Sequence, residues 1–452
     1  MELLLVSVFV LGYVAIAMEH TFKIDKLIPA LAMMAILWAL IAVNHLDVFE
    51  IIPGVGKESH HLEGVLLHHL GKTAEILFFL MGAMTIVEII DYFDGFSTIK
   101  SFIRTKSKIK LLWLFSTLAF VLSAIIDNLT ATIVLITILQ KIISDKEIRL
   151  WFAGLIVIAA NAGGAWSPIG DVTTTMLWIA NKVSANQLII HVLLPSIVCY
   201  ALPTLIASRL SIFKGKIEEI PMDDKPENTS SALMFYLGLG GILFVPIFKT
   251  ITHLPPYVGM MLALAVVAAV AEYLSNRKFR VGHAMGEDTH SHQSPVHKSL
   301  SKIEMPSLLF FLGILMAVAA LESLGMLFDF AGALEANVPY LGTEHASTKI
   351  SDLVVLLLGA GSAVIDNVPL VAASIGMFQI GMDEPAWHFI AYAAGTGGSI
   401  LIIGSAAGVV AMGMEKIDFF WYLKKIGGLA LIGFLAGSAV FVILRDFLLN
   451  AH

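Results

Sequence analysis

Three aspartates lie inside segments that are otherwise apolar: Asp127, Asp171 and Asp366. A charged side chain at the centre of a membrane segment costs roughly 2.5 to 3.5 kcal/mol on insertion scales, so it normally faces a cavity or a pathway. Burial disfavours the ionised carboxylate, which therefore holds a proton unless a bound cation replaces it. These residues indicate a site at which a small cation and a proton compete.

Two of these acids belong to an Ile-Asp-Asn tripeptide that occurs twice, as Ile126-Asp127-Asn128 and as Ile365-Asp366-Asn367. Each tripeptide lies in the middle of a segment long enough for two short helices, residues 109–143 and 350–380. This placement predicts two re-entrant helical hairpins whose polar tips would lie near each other at the middle of the membrane. An alternative remains open, since Asp is also a favoured N-cap and could merely cap the helix that follows it.

The third acid follows a run rich in glycine and proline inside one apolar segment, residues 150–181. Such residues should break the helix and free backbone carbonyls that a dehydrated cation can bind. Oxygen donors from Asn161, Ser167, Asp171 and Thr173, with exposed backbone carbonyls, suit a hard cation such as Na⁺. The alternative is that the glycines serve only close helix packing.

The second half of the chain contains an equivalent break within residues 386–414. Ser405 takes the place of Asp171 there, and Ser399 adds a second hydroxyl. The predicted site is therefore asymmetric, with Na⁺ held at Asp127, Asp171 and Asp366 and hydroxyl groups completing the second half.

Composition decides which elements could position these residues. The chain is 58% hydrophobic and 14% charged, whereas soluble domains carry about 25% charged residues. The expected fold is an all-α polytopic membrane protein with about ten transmembrane helices, two of them broken, plus the two re-entrant hairpins. The predicted crossings are Leu3 to Met18, Leu27 to Val43, Thr73 to Asp91, Leu150 to Asn181, Gln187 to Phe213, Leu233 to Ile251, Pro255 to Leu274, Pro306 to Leu327, Ala386 to Met414 and Phe419 to Phe447.

Internal similarity divides the chain into two related halves. Ser123 to Asn128 recurs as Ser362 to Asn367, and Ala159 to Gly164 recurs as Ala393 to Gly398. We expect an N-terminal repeat at 1–215, a cytoplasmic linker at 216–231 and a C-terminal repeat at 232–452. Five crossings in each half would turn the second repeat upside down, an arrangement typical of secondary transporters.

Positive charge predicts the orientation. All but six of the 28 Lys and Arg residues fall on one side of the predicted topology, the six being Lys57, Lys72, Lys182, Lys249, Lys349 and Arg445. The positive-inside rule makes the rich side cytoplasmic and places both termini outside. The net charge of -7 and the lack of a basic stripe exclude nucleic acid as a partner, and the single cysteine, Cys199, excludes a disulfide framework.

Two further acids, Glu88 and Glu322, lie near the ends of the third crossing in each half. Either could join a proton path. Pairing with basic loops, or reaching out to the membrane interface, would explain them equally well.

The motifs around Asp127, Asp171 and Asp366 resemble those of NhaD-type Na⁺/H⁺ antiporters of the ion transporter superfamily, and the resemblance covers nearly the whole chain. It implies an inner-membrane homodimer that exports Na⁺ and Li⁺ against inward H⁺ by an elevator-like motion. The bilayer and small cations would be its partners, and no cofactor is expected. It also implies roles for Asp127, Asn128, Asp171, Thr173, Asp366, Asn367, Ser399 and Ser405.

Other functions remain open at this point. A carrier of dicarboxylate, citrate or arsenite from the same superfamily would favour basic residues in the site, which the core segments lack. An intramembrane aspartyl protease would use two membrane aspartates as its catalytic pair. A passive channel would not need a site that changes its protonation.

Overall fold

A computed structural model describes residues 1–18, 23–52, 56–103, 105–217, 229–284, 294–330, 350–364, 366–378 and 380–449. Helices dominate this part of the chain. Those of the first half are α1 (Glu2–Ala17), α2 (Leu27–Val43), α3 (Leu62–Tyr92), α4 (Lys108–Ile126), α5 (Asn128–Ile142), α6 (Lys146–Ala165), α7 (Val172–Ile179) and α8 (Ala185–Ser208), with short 3₁₀ turns at Gly95–Phe102 and Ser211–Phe213.

The second half continues with a matching series of helices. They are α9 (Thr229–Thr252), α10 (Pro256–Ala284), α11 (Pro295–Leu300), α12 (Met305–Ser323), α13 (Asp352–Gly361), α14 (Asn367–Met377), α15 (Pro385–Gly397), α16 (Ala406–Glu415), α17 (Phe419–Tyr422) and α18 (Gly428–Ile443), with π-helical turns at Leu423–Gly427 and Leu444–Leu449. The predicted linker, 216–231, lies largely outside the described residues.

Eight helices in the described ranges are long and apolar enough to cross a membrane, and shorter apolar helices accompany them. The chain is thus a polytopic, mainly helical membrane protein. The prediction for the second crossing matches α2, whereas α3 begins at Leu62 rather than Thr73. An antiparallel pair of strands, β1 (Val48–Ile52) and β2 (Gly56–His60), was not expected from the sequence.

Both segments predicted as hairpins consist of two helices that meet at the Ile-Asp-Asn tripeptide. In the first, α4 packs against α5, and the chain turns at Asp127. In the second, α13 precedes α14 across the same tripeptide. The arms differ in length, because α4 has 19 residues and α13 has 10, so the expectation of short arms is wrong for α4.

The two broken segments are broken where hydroxyl or carboxylate caps begin the second helix. Residues between α6 and α7, and between α15 and α16, are not helical. The helix does continue through Gly163 and Gly164 to Ala165, so these two glycines do not make the break. A Cβ on Gly163 would collide with the Phe120 carbonyl oxygen, and one on Gly397 with that of Gly359. Close packing therefore explains these glycines.

Helix packing within each half and between the halves follows the internal repeat. Within each half, the first hairpin arm lies against the long part of the broken helix, α4 on α6 and α13 on α15. One hydrogen bond recurs there, since Ser123 Oγ donates to the Ala160 carbonyl over 2.6 Å and Ser362 Oγ to that of Ala394 over 2.9 Å. Between halves, the second arm packs on the opposite short helix, α5 on α16 and α14 on α7. Both hairpin tips are thereby brought to both helix breaks.

Candidate functional site

Asp171 is the point at which the two hairpin tips meet. Its side chain is 3% exposed and caps α7 by accepting from the Thr173 backbone N–H over 3.3 Å. Its second oxygen, Oδ2, accepts hydrogen bonds from Nδ2 of Asn128 over 3.4 Å and from Nδ2 of Asn367 over 3.0 Å. Such charge-assisted hydrogen bonds stabilise the ionised carboxylate in a buried position.

A second chain of hydrogen bonds joins the two helix breaks. Asn161, which is fully buried, accepts at Oδ1 from the Asn128 amide over 3.1 Å and donates from Nδ2 to Ser405 Oγ over 2.9 Å. Ser405 caps α16 by accepting from the Gly408 N–H over 3.2 Å. Its backbone angles, φ -148° and ψ 154°, are close to the -147° and 149° of Asp171. Ser405 therefore occupies the position of Asp171 in the second half, as its sequence predicts.

Thr173 contributes an unused oxygen. Its hydroxyl is fully buried beside the Asp171 carboxylate and makes no well-formed hydrogen bond within the described part of the chain. A buried polar atom without a partner is costly, which makes this hydroxyl, two residues after Asp171, a candidate cation ligand.

Asp127 behaves as a helix cap. Its Oδ1 accepts from the Thr130 N–H over 2.8 Å, and its Oδ2 accepts from Thr130 Oγ over 2.9 Å. The residue adopts φ +78°, a conformation that costs a non-glycine residue of the order of 1–3 kcal/mol. The capping alternative thus describes the local geometry of Asp127, although this acid still interacts electrostatically with Asp171.

Asp366 differs from its counterpart. It makes no side-chain cap to α14, because Pro369 stands where Thr130 stands in the first half and has no N–H to donate. Its Oδ2 lies instead 3.4 Å from Nζ of Lys26. Asp366 also interacts electrostatically with Asp171, but no three His, Cys, Asp or Glu side chains in the described residues form one metal-binding group.

The remaining candidates lie outside this network. Ser399 is buried in the turn after α15 and donates to the carbonyl of Thr396, near the end of that helix, over 2.6 Å. Glu88 lies 4.0 Å from Lys302, as the pairing alternative predicts. Glu322 packs against Gly376 of α14 and interacts electrostatically with Lys182. Lys182 lies in a loop, where burial lowers its pKa; the negative charge of Glu322 acts in the opposite direction and raises it.

Comparison with known proteins gives the family. A family profile described as citrate transporter matches residues 13–395. Sodium/proton antiporter 1 of Arabidopsis thaliana is 40% identical over 97% of this chain and 72% of the relative. Sodium/proton antiporter 2 of the same plant is 38% identical over 97% and 99%, and the Na⁺/H⁺ antiporter NhaD of Alkalimonas amylolytica is 32% identical over 96% and 89%. The chain belongs to the NhaD-type Na⁺/H⁺ antiporter family.

This membership makes the NhaD-type chain a membrane transporter rather than an enzyme, so the aspartyl protease alternative is wrong. The YdaH transporter of Alcanivorax borkumensis has a similar fold, with a TM-score of 0.56 and 14% identity, covering 93% of this chain and 98% of that one.

Sequence reasoning missed one residue that lies beside the candidate site of this NhaD-type chain. Lys26 precedes α2, far from the hairpins in sequence, and only folding brings it to Asp366. One difference in the sequence could have indicated that the Asp366 carboxylate does not cap its own helix. Asp127-Asn-Leu-Thr130 in the first half is replaced by Asp366-Asn-Val-Pro369 in the second.

Proposed function

We propose that this protein exchanges cytoplasmic Na⁺ for external H⁺ and that Li⁺ can replace Na⁺. The observation that carries the proposal is the convergence of Asn128 and Asn367, one from each half, on the buried carboxylate of Asp171. The sodium/proton antiporter names of the relatives support the same activity.

The donors around Asp171 explain how one site could serve two ions. Oxygens of Asp171, Thr173 and Asn161 match the hard ligands that Na⁺ and Li⁺ prefer. When no cation is bound, a proton neutralises the buried carboxylate; a cation favours the ionised form and expels that proton. Because both ions need the same oxygens, each crossing carries one or the other, which is the requirement for exchange.

The proposed motion uses the packing between the halves. The hairpins and broken helices contact one another across the site, whereas α2 packs on α12 and α3 on α10. The two groups touch where α12 packs on α14 and α3 on α7. Movement of the first group against the second would expose the site to each side in turn, as in an elevator. Orientation with both termini outside in an inner membrane, and assembly as a homodimer, are parts of this proposal.

Reconstituted transport tests the proposal. Purified protein in proteoliposomes with an imposed pH gradient is challenged with Na⁺, Li⁺, K⁺ or citrate. Na⁺ and Li⁺ should dissipate the gradient, and Asp127→Asn, Asp171→Asn and Asp366→Asn should each abolish the response. Asp145→Asn is the matched control, because Asp145 caps α6 outside the site and Asn is an equally good cap.

Full activity in all three site variants would reject this assignment of the site. Citrate transport is the second candidate, favoured by the description of the family profile. Three acids in and around the site disfavour a polyanion. Citrate-dependent flux without Na⁺-dependent proton movement would establish that candidate instead.

A further inference from the structure

Lys26 extends to the tip of the second hairpin from the opposite end of the chain. Its Nζ lies 3.4 Å from Oδ2 of Asp366, and the two side chains are 30% and 17% exposed. Lys26 immediately precedes α2. This helix packs mainly against α12 rather than against the hairpins or the broken helices. The ion pair therefore joins the candidate site to a neighbouring group of helices.

An aromatic ring helps to hold the ammonium there. Lys26 Nζ lies 4.6 Å from the centroid of the Phe310 ring of α12, within the range of a cation–π contact. Besides Lys26, Tyr13 from α1 and Asp171 from the helix break interact electrostatically with Asp366. Of these, Lys26 alone supplies a positive charge.

Pro369 explains why the carboxylate of Asp366 is available to a cation. Pro369 cannot donate the backbone hydrogen bond that Thr130 gives to Asp127, so α14 receives no side-chain cap from Asp366. In the first half, the equivalent carboxylate is occupied by its own helix. In the second half, the ammonium of Lys26 takes that place.

We propose that Lys26 is a tethered cation that pairs with Asp366 while the site is empty and is displaced when the transported cation binds. This inference rests on the proposed function, since it assumes that Asp366 serves the Na⁺ site. Two cations at one carboxylate repel each other, so Na⁺ binding requires the ammonium to leave. The side chain is long and partly exposed, so its ammonium can withdraw into water.

The inference predicts that removing the tethered charge strengthens Na⁺ binding. Lys26→Met keeps the apolar stem against Phe310 but removes the ammonium. The Na⁺ concentration for half-maximal exchange should fall about three- to fivefold, the change expected when one partly exposed ion-pair competitor is lost. Lys26→Arg keeps the charge and should stay near the wild-type value. Lys298→Met is the matched control, because Lys298 contacts the ring of Tyr92 and lies away from the site.

Exchange in proteoliposomes and Na⁺-dependent thermal protection in detergent should be measured for these four proteins. Protection reports cation binding by mass action and does not require transport. An unchanged or increased half-saturation in Lys26→Met, or an equal decrease in Lys26→Arg, would overturn the inference. If Lys26→Met does not fold, Lys26→Gln replaces it and must meet the same criteria. Absence of Na⁺-dependent exchange in the wild type would instead reject the proposed function.

Discussion

Asn367 donates a hydrogen bond from Nδ2 to Oδ2 of Asp171 over 3.0 Å, so a residue of the second half satisfies a buried acid of the first. The partner from the first half, Asn128, is farther away at 3.4 Å and shares its amide with Asn161. The acid is therefore held by both hairpin tips, but more closely by the one from the opposite half.

Removal of these two amides should have unequal effects. Asn367→Ala takes the shorter hydrogen bond from Asp171 and should reduce the rate of Na⁺/H⁺ exchange at low Na⁺ about ten- to hundredfold, since hydrogen bonds to charged groups contribute about 1.5–3 kcal/mol. Asn128→Ala should have a smaller effect. Initial rates in proteoliposomes would rank the two variants, and a larger loss in Asn128→Ala would contradict this order.

Proton competition should appear in the pH dependence of Na⁺ use. If one proton leaves the carboxylate for each bound Na⁺, the Na⁺ concentration for half-maximal exchange increases as pH falls. The increase should approach about tenfold per pH unit where the empty site is protonated. Half-saturation measured at several values of symmetric pH tests this, and a value independent of pH would exclude direct competition.

Pro369→Thr should make the second hairpin tip resemble the first. The new N–H and hydroxyl can cap α14 through Asp366, as Thr130 does for Asp127. Capping contributes about 0.5–2 kcal/mol, so the unfolding temperature should increase while half-saturation by Na⁺ also increases, because the carboxylate is occupied. Thermal unfolding and exchange should be measured together. Thr130→Ala serves as the companion variant, since it removes the hydroxyl donor from Asp127. Tighter Na⁺ binding in Pro369→Thr would refute the prediction that capping occupies the Asp366 carboxylate.

The glycines at the helix contacts should not accept a methyl group. A Cβ at Gly163 would overlap the Phe120 carbonyl oxygen, and one at Gly397 would overlap that of Gly359. Each Gly→Ala change should destabilise the protein by about 1–3 kcal/mol, the usual cost of overpacking. Gly240→Ala is the control, because among the described residues no atom outside its own helix lies within 4 Å of its added Cβ. Thermal unfolding compares the three, and equal stability would contradict the packing.

Much of the fold could be predicted from the chain alone. Apolar runs located most crossings, with α2 matching its predicted bounds. The repeated Ile-Asp-Asn tripeptide located both hairpin tips. The strands β1 and β2 were missed because a single pair of strands in a loop leaves little periodic signal. The start of α3 was missed because its first turns are polar enough to resemble a loop.

By itself, the sequence determined which residues could be charged within the membrane and that the two halves would be alike. These properties depend on composition and local repetition. Only the tertiary structure decided that Asn367 would join Asp171 and that Lys26 would face Asp366, residues separated by 196 and 340 positions. The first pair forms because α14 packs on α7, and the second because α12 packs on both α2 and α14. Packing between elements so far apart in the chain is set by the whole bundle rather than by any local pattern.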